Sequence, residues 1–151
     1  MLDHKPSVAH EQHRLIHDIY VLLDDGDRQV LEALDLSPLD FAVLQRLSCD
    51  EGRRLTDLGA ELLCVKSTIT RVADRLEAAG LAVRTPDPGD RRAQRLLLTE
   101  RGAAVRARAE ALHDASVERR LGLLTPDEQR TLRSLLEKLR DGLRQRLSED
   151  L

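Results

Sequence analysis

The segment that most restricts how this chain can fold is residues 66–98, in which one helical pattern is followed by two strand-like patterns. Residues 66–80, KSTITRVADRLEAAG, place apolar side chains at intervals of three and four and end in a glycine, which is typical of a capped amphipathic helix. The segments LAVRT (81–85) and QRLLL (94–98) are typical of strands, and PDPGDRRA between them contains two prolines and a glycine. The sequence therefore predicts a helix followed by a β-hairpin with a restricted loop.

Helical patterns precede this segment. Apolar periodicity predicts a helix over about 8–23, which we expect the acidic DDGD at 24–27 to interrupt. SPLDF then has the signature of a helix start, with Ser37 as the N-cap and proline in the first position. LTDLGAELL (55–63) predicts a short helix, which a break of two or three residues separates from the helix that begins at Lys66.

Two long helices are predicted after the hairpin. Thr99 can cap the first, and Thr125 repeats the cap signature, with proline next and Glu128 three positions on. The last helix carries an apolar stripe made of Leu132, Leu136, Leu139, Leu143 and Leu147. A single chain would leave such a stripe partly exposed, which is typical of a surface that meets another subunit.

This order of elements predicts a mainly α protein with a small two-stranded β-hairpin wing, that is, a winged helix-turn-helix. We expect residues 37–99 to form the winged lobe, and residues 1–36 and 100–151 to form a helical dimerisation region, in one continuous globular subunit. A length of 151 residues suits one domain, and the many Leu and Ala residues favour helices.

Charge is unevenly distributed along the chain. The formal net charge is -3, which by itself argues against a nucleic-acid partner. Between Arg53 and Arg108, however, there are 12 basic and 7 acidic residues, whereas the two ends together are acidic. A basic centre suits a polyanion, and an acidic remainder limits indiscriminate binding.

The helix at 66–80 presents a polar face as well as an apolar one. Its apolar face consists of Ile69, Val72, Ala73 and Leu76. The opposite face and its flanks carry Ser67, Thr68, Thr70, Arg71 and Arg75. Hydroxyl groups and a guanidinium suit the major groove of DNA, where they can meet base edges and phosphates. The alternative is an ordinary solvated helix face.

The hairpin loop concentrates arginines at its tip. Arg91, Arg92 and Arg95 lie within five residues, directly after Asp90. A restricted loop with arginines suits the narrow minor groove, whose negative potential attracts a guanidinium. We expect Asp90 to hold one arginine in place by a charge-assisted hydrogen bond. The alternative is a turn that an Asp–Arg contact stabilises and that has no partner.

Three segments of the sequence closely resemble the MarR family of bacterial transcription regulators. They are SPLDFAVLQRL, LTDLGAELLCVKSTITRVADRLEAAGLAVRTPDPGDRRAQRLLLTERG and LTPDEQRTLRSLLEKL. The resemblance covers residues 8–147, and it is most specific where helix, wing and the following Leu-Thr-Glu match in register.

The resemblance implies a homodimer with interlocking terminal helices that binds a pseudo-palindromic operator in double-stranded DNA. It implies that Ser67, Thr68, Thr70 and Arg71 enter the major groove, and that Asp90 with Arg91 or Arg92 forms a wing-tip pair at the minor groove. It also implies a repressor that a small anionic or phenolic ligand releases from DNA.

Two positions depart from the family pattern. Leu63 stands in the turn where the family usually has glycine, and Val65 stands where a Ser or Thr usually caps the next helix. A bulky residue in a left-handed turn and a missing cap each cost about 1 kcal/mol. We therefore expect a turn of different shape, or a helix that starts later with Ser67 as its cap.

Candidate sensor residues are sparse. His13, Arg14, His17, Tyr20 and Phe41 are candidates for lining a ligand site, and packing or surface roles are the alternative. His10, His13 and His17 have spacing that could chelate a metal, but no cysteine or carboxylate set joins them, so no metal site is predicted. Cys64 is expected to fill the core and Cys49 to be exposed, with no sensing cysteine in the first helix.

Several function classes lack their signatures. There is no nucleophile elbow, phosphate-binding loop, dinucleotide fingerprint or HExxH motif, so we expect no enzyme and no cofactor. There is no apolar run long enough to span a bilayer and no signal-peptide core, so we expect a cytoplasmic protein. The remaining alternative to a DNA-binding regulator is a winged-helix module that binds another protein.

Overall fold

The computed structural model describes residues 7–149. Its helices are α1 (Val8–Glu32), α2 (Pro38–Leu44), α3 (Leu55–Glu61), α4 (Lys66–Ala78), α5 (Glu100–Leu121) and α6 (Pro126–Glu149). Its strands are β1 (Arg53–Arg54), β2 (Ala82–Pro86) and β3 (Gln94–Leu98). The chain divides into two compact units, with the boundary between His113 and Asp114 inside α5.

The predicted β-hairpin is confirmed, and a third strand joins it. The antiparallel sheet has the order β1-β3-β2, with Arg53 opposite Leu96 and Thr85 opposite Arg95. A strand of two residues is too short to show alternation, so β1 left no signal in the sequence pattern. Through β1, the chain just before α3 is attached to the wing.

α1 is continuous, so the predicted interruption at 24–27 was wrong. The Arg28 guanidinium donates to the Asp24 carboxylate at 2.7 Å, and the Gln29 side-chain amide donates to Asp25 at 2.8 Å. Because both contacts join residues four apart on one helix face, they stabilise helical structure across an acidic segment that contains a glycine.

The predicted helix starts are confirmed by capping hydrogen bonds. The Ser37 hydroxyl and the Asp40 carboxylate each accept a backbone N–H of the other residue at 3.0 Å, which completes a capping box at α2. Thr99 accepts the Gly102 N–H at 2.9 Å, at the start of α5. At α6, the Glu128 carboxylate accepts the Thr125 N–H at 2.7 Å, and this hydrogen bond lowers the pKa of Glu128.

The core of the first unit lies between α4, its neighbouring helices and the sheet. Ile69, Val72, Ala73 and Leu76 form the buried face of α4, as predicted. They belong to one apolar cluster with residues from α2, α3 and β3, including Leu44, Leu58 and Leu96. Burial of this face leaves the polar face of α4 directed away from the core.

Two glycines set the geometry around the hairpin. Gly80 has a φ of +72°, which suits glycine and ends α4. A Cβ at Gly102 would lie 1.9 Å from the carbonyl oxygen of Leu81, so only glycine permits this approach. The first turn of α5 is thereby held against the start of the hairpin.

The second unit, from Asp114, exposes much of its apolar surface. Leu136, Leu139, Leu143 and Leu147 are exposed on α6, and Leu132 is half-buried. The helices of residues 7–149 include none with the length and hydropathy that a bilayer crossing requires. Residues 1–6 and 150–151 of the predicted dimerisation region lie outside the described residues, and the extent of that region stays a prediction.

Candidate nucleic-acid interface

The N-terminal half of α4 presents most of the predicted groove residues. Ser67 and Arg71 are exposed, and Thr68 and Thr70 are placed at the sides of the same turn. The Thr70 hydroxyl donates to the carbonyl of Lys66 at 2.8 Å. Short polar side chains on an exposed first turn can approach a base edge closely, because little else stands in the way.

Leu63 and Val65 each occupy an unfavourable position in the turn before α4. Leu63 has a φ of +53° and is 94% exposed. α4 begins directly after Val65, whose side chain makes no cap hydrogen bond, so the idea that Ser67 caps a later-starting helix was wrong. Each feature costs about 1 kcal/mol of stability relative to glycine and serine at these positions.

The base of the wing is held by a buried carboxylate that the sequence patterns did not predict. The Asp87 side chain is 1% exposed and accepts hydrogen bonds from Arg54 at 2.7 and 3.0 Å and from Arg95 at 2.7 Å. Asp87 also stabilises the loop itself, because its carboxylate accepts the backbone N–H groups of Gly89 and Asp90. Arg54, followed by Arg95, holds the pKa of the Asp87 carboxyl well below its usual range.

In the described chain, the predicted wing-tip pair between the Asp90 carboxylate and an arginine side chain is not formed. The Asp90 carboxylate accepts the backbone N–H of Arg92 at 2.9 Å, and it makes no ion pair with an arginine side chain of residues 7–149. Arg95 was predicted to contact DNA, but it bridges Asp87 and the carbonyl of Gly52, the latter at 2.9 Å. An aspartate between two prolines and two residues before a glycine is a typical turn-forming residue, which is the signal that could have found Asp87.

The C-terminal half of α4 is tied to its surroundings by ion pairs. Arg75, predicted to flank the groove face, donates to the buried Asp40 carboxylate at 2.7 Å. Arg84 of β2 donates to Asp74 at 2.6 Å, and its backbone N–H donates to Glu77 at 3.0 Å. These contacts fix α4 to α2 and to the hairpin.

The lysines and arginines of residues 37–99 fall into two groups. Those with a carboxylate partner are Arg46 and Arg53 with Glu61, Arg54 and Arg95 with Asp87, Arg75 with Asp40, and Arg84 with Asp74. Those with no ion-pair partner in the described chain are Lys66, Arg71, Arg91 and Arg92. All four of the second group lie on the N-terminal half of α4 or at the wing tip. Within residues 37–99, the cations that have no ion-pair partner are therefore confined to these two places.

A cleft joins the two places. It has a volume of about 430 Å³ and is lined by Lys66 and Thr70 of α4 and by Arg91 and Arg92 of the wing. The N-terminal half of α4 and the wing tip thus border one surface. A surface of this kind, basic and rich in hydroxyl groups, matches the phosphate backbone and the groove edges of a nucleic acid.

The candidate sensor residues do not share one environment. Phe41 is 4% exposed, and its ring centroid lies 5.2 Å from that of the half-buried His113. The other candidates, His13, Arg14, His17 and Tyr20, are exposed on α1. Residues 7–149 contain no group of three or more ligating side chains arranged for a metal ion.

The two cysteines occupy different environments. Cys49 is exposed, as expected. Cys64 was expected to fill the core, but it is half-buried, and its thiol lies 3.4 Å from the carbonyl oxygen of Leu62. The turn before α4 lies at the edge of the lobe, which leaves room for solvent beside this thiol.

A short helix, a turn, a recognition helix and a hairpin with arginines at its tip define the winged helix-turn-helix class. A sequence model described as the MarR family matches residues 36–93. The chain is 32% identical over 127 residues to the multiple antibiotic resistance protein MarR of Escherichia coli (strain K12), which covers 83% of this chain and 88% of that protein. The chain belongs to the MarR family of transcriptional regulators.

Two further comparisons agree with this membership. The chain is 36% identical over 102 residues to the uncharacterized HTH-type transcriptional regulator YkoM of Bacillus subtilis (strain 168), which covers 68% of this chain and 66% of that protein. A crystal structure of a mutant MarR from E. coli complexed with operator DNA matches with a TM-score of 0.77 and 30% identity, over 89% of this chain and 99% of that chain. The resemblance and the mainly α winged fold expected from the sequence are confirmed.

Proposed function

We propose that this protein is a dimeric, sequence-specific regulator that binds a pseudo-palindromic operator in double-stranded DNA in the cytoplasm. The observation that carries the proposal is the placement of Lys66, Arg71, Arg91 and Arg92. These four cations lack carboxylate partners in the described lobe; three of them line one cleft, and Arg71 is exposed on the same half of α4. The relative complexed with operator DNA supports the same partner.

In the winged lobe, α4 and the wing tip contact different grooves of the DNA. Ser67, Thr68 and Arg71 contact base edges in the major groove, with Thr70 at the border of the cleft. Arg91 and Arg92 enter the minor groove, and Asp90 orders the backbone at the start of the tip. Two further arginines, Arg75 and Arg95, act as positioning residues, because carboxylates of the same lobe hold their guanidinium groups.

The exposed apolar residues of the terminal helices support dimerisation. On α1, Leu15, Ile16, Ile19 and Leu22 are exposed, and on α6 the stripe from Leu136 to Leu147 is exposed. An exposed apolar face on a helix is typical of a subunit interface. Two-fold symmetry then requires two half-sites about one helical turn apart.

The regulatory outcome that we propose is repression, relieved by a small anionic or phenolic ligand. His13, Arg14, His17 and Tyr20 offer cationic and hydrogen-bonding groups on the exposed side of α1. Phe41 is not part of this site, because its ring is buried in the core. The ligand would act by changing how the two winged lobes of a dimer are spaced.

The experiment is a selection of short duplexes by the purified protein at two salt concentrations. The proposal predicts enrichment of one palindrome, with affinity that falls roughly 10³–10⁵-fold between about 50 and 200 mM salt for 6 to 10 phosphate contacts. Light scattering of the complex should give two chains per palindrome. Weak binding with no enriched sequence would contradict the proposal and favour a protein partner for the wing.

A further inference from the structure

Two exposed aliphatic side chains, which we name the apolar tip, precede the first turn of α4. Leu63 is 94% exposed and Val65 is 68% exposed. Cys64 between them is half-buried, and its backbone N–H donates to the carbonyl of Gly59 at 2.8 Å. The chain is thus held at Cys64 while its two neighbours project from the lobe.

The fold does not require these two side chains. Leu63 has a φ of +53°, a conformation that favours glycine, and its exposure leaves it almost no packing within the lobe. Val65 occupies the N-cap of α4, where a serine hydroxyl would accept a free N–H and a valine cannot. Both residues are unfavourable for local structure, so a role outside the folding of the lobe accounts for them better.

The apolar tip lies beside the proposed DNA-binding surface. Cys64 and Lys66, the residues on either side of Val65, line the cleft together with Arg91 and Arg92. The N-terminal end of a recognition helix is also the end that approaches the base edges in helix-turn-helix proteins. The backbone of the apolar tip is therefore adjacent to the cleft that Lys66, Arg91 and Arg92 line.

We propose that the apolar tip contacts thymine methyl groups in the major groove, so that each operator half-site carries an A·T pair where the tip docks. The C5-methyl of thymine is the apolar group that base pairs present in that groove, and aliphatic side chains contact it favourably. Cytosine lacks this methyl. The inference rests on the proposed function, because it requires that α4 enters the major groove.

The test replaces thymine by deoxyuridine in the selected duplex, which removes only the methyl group. Wild-type protein should bind the deoxyuridine duplex about fourfold less tightly for each contacted methyl, the value for one buried group of this size. In the double variant Leu63→Gly/Val65→Ser the two duplexes should bind equally. Both substitutions suit the local backbone, so the variant should fold at least as well as the wild type.

Lys66→Ala is the matched control. It removes a neighbouring charge, so it should weaken binding to both duplexes and leave the thymine preference unchanged. Equal binding of the two duplexes by the wild type, with tight Arg92-dependent binding retained, would overturn the inference and leave the proposed function intact. A thymine preference that persists in Leu63→Gly/Val65→Ser would also overturn it, since another group would then contact the methyl.

Two further outcomes would each exclude a thymine contact. A change in the number of chains per complex in the double variant would assign the apolar tip to a subunit interface and overturn the inference. Failure of the wild type to bind any duplex in an arginine-dependent way would overturn both the inference and the proposed function.

Discussion

The base of the wing and its tip both contain arginines, which, among the residues that the structure describes, are ion-paired at the base and have no ion-pair partner at the tip. At the base, Arg54 and Arg95 share the buried carboxylate of Asp87, so their charge is partly neutralised and their geometry is fixed. At the tip, Arg91 and Arg92 are exposed, and neither guanidinium has an ion-pair partner within residues 7–149. The number of arginines in a segment therefore does not give its binding charge; the positions of the carboxylates decide it.

The same difference separates the two ends of the recognition helix. Its C-terminal half is tied through Arg75 to Asp40 and through Asp74 to Arg84, whereas its first half carries Lys66 and Arg71, which have no carboxylate partner in the described lobe. In both elements, a part that is held by ion pairs therefore supports an exposed part whose cations have no ion-pair partner in the described lobe. Such an arrangement reduces the entropy that binding must overcome, because the support is already ordered.

Removal of the tip charges should have the largest effect. We expect Arg91→Ala/Arg92→Ala to weaken operator binding about 10²–10³-fold at moderate salt, because a dimer then has four fewer cations directed at DNA. The reduction should be similar on operator and on unrelated duplexes. Fluorescence anisotropy on both duplexes measures it, and a reduction confined to the operator would contradict a phosphate or minor-groove role.

Arg71 should affect sequence preference more than the tip does. We expect Arg71→Ala to reduce the preference for operator over unrelated DNA about 10- to 100-fold, since a well-formed arginine–base contact discriminates by about 1–3 kcal/mol. Arg75→Ala is the comparison on the same helix: its guanidinium is held by Asp40 and positions α4, so its loss should weaken binding to operator and unrelated DNA alike and leave the preference unchanged. If both variants changed the preference equally, the division of α4 into a contacting and a supporting half would be wrong.

Asp87 tests the supporting role of the base. Asp87→Asn removes a negative charge, so electrostatics alone would strengthen DNA binding. We expect the opposite, a weakening of about tenfold, because a wing that is no longer held must be ordered on binding. Asp90→Asn removes the same charge with its backbone hydrogen bond largely kept, and it should have a smaller effect. Tighter binding by Asp87→Asn would show that the base does not position the tip.

At acidic pH, the free energy of unfolding of the lobe should depend on the ionisation of Asp87. Its pKa is lowered in the folded protein, so its contribution to the free energy of unfolding is complete above the unfolded-state pKa of about 3.9. The contribution then declines as the pH falls towards the folded-state pKa. Urea unfolding between about pH 6 and pH 3 should show this decline in the wild type and a shallower one in Asp87→Asn. Equal slopes would mean that Asp87 adds nothing to stability through ionisation.

The parts of the fold that could be predicted from the sequence are those whose signals are local. The caps at Ser37, Thr99 and Thr125, the apolar face of α4 and the hairpin follow from residues close together in the chain, and the structure confirms them. The break at 24–27 was predicted wrongly, because side-chain contacts one turn apart outweigh the low helix propensity of Asp and Gly.

The partners of charged residues could not be predicted from sequence, because they join distant positions. Asp87 and Arg54 are 33 residues apart, and Arg75 and Asp40 are 35 apart. The sequence therefore showed a basic segment but could not tell ion-paired arginines from unpaired ones. The predicted groove and tip residues Ser67, Arg71, Arg91 and Arg92 are exposed, whereas Arg75 and Arg95 have partners within the lobe.

The most direct test of whether only the cations without an ion-pair partner meet DNA is the salt dependence of operator binding in two variants that each remove two arginines per chain. Arg91→Ala/Arg92→Ala removes two such cations per chain, and Arg46→Ala/Arg53→Ala removes two that share Glu61. We predict that log K falls less steeply with log salt in the first variant than in the wild type, by about 0.9 in slope for each phosphate contact removed. In the second variant the slope should stay close to that of the wild type. Equal slopes in the two variants would contradict the claim.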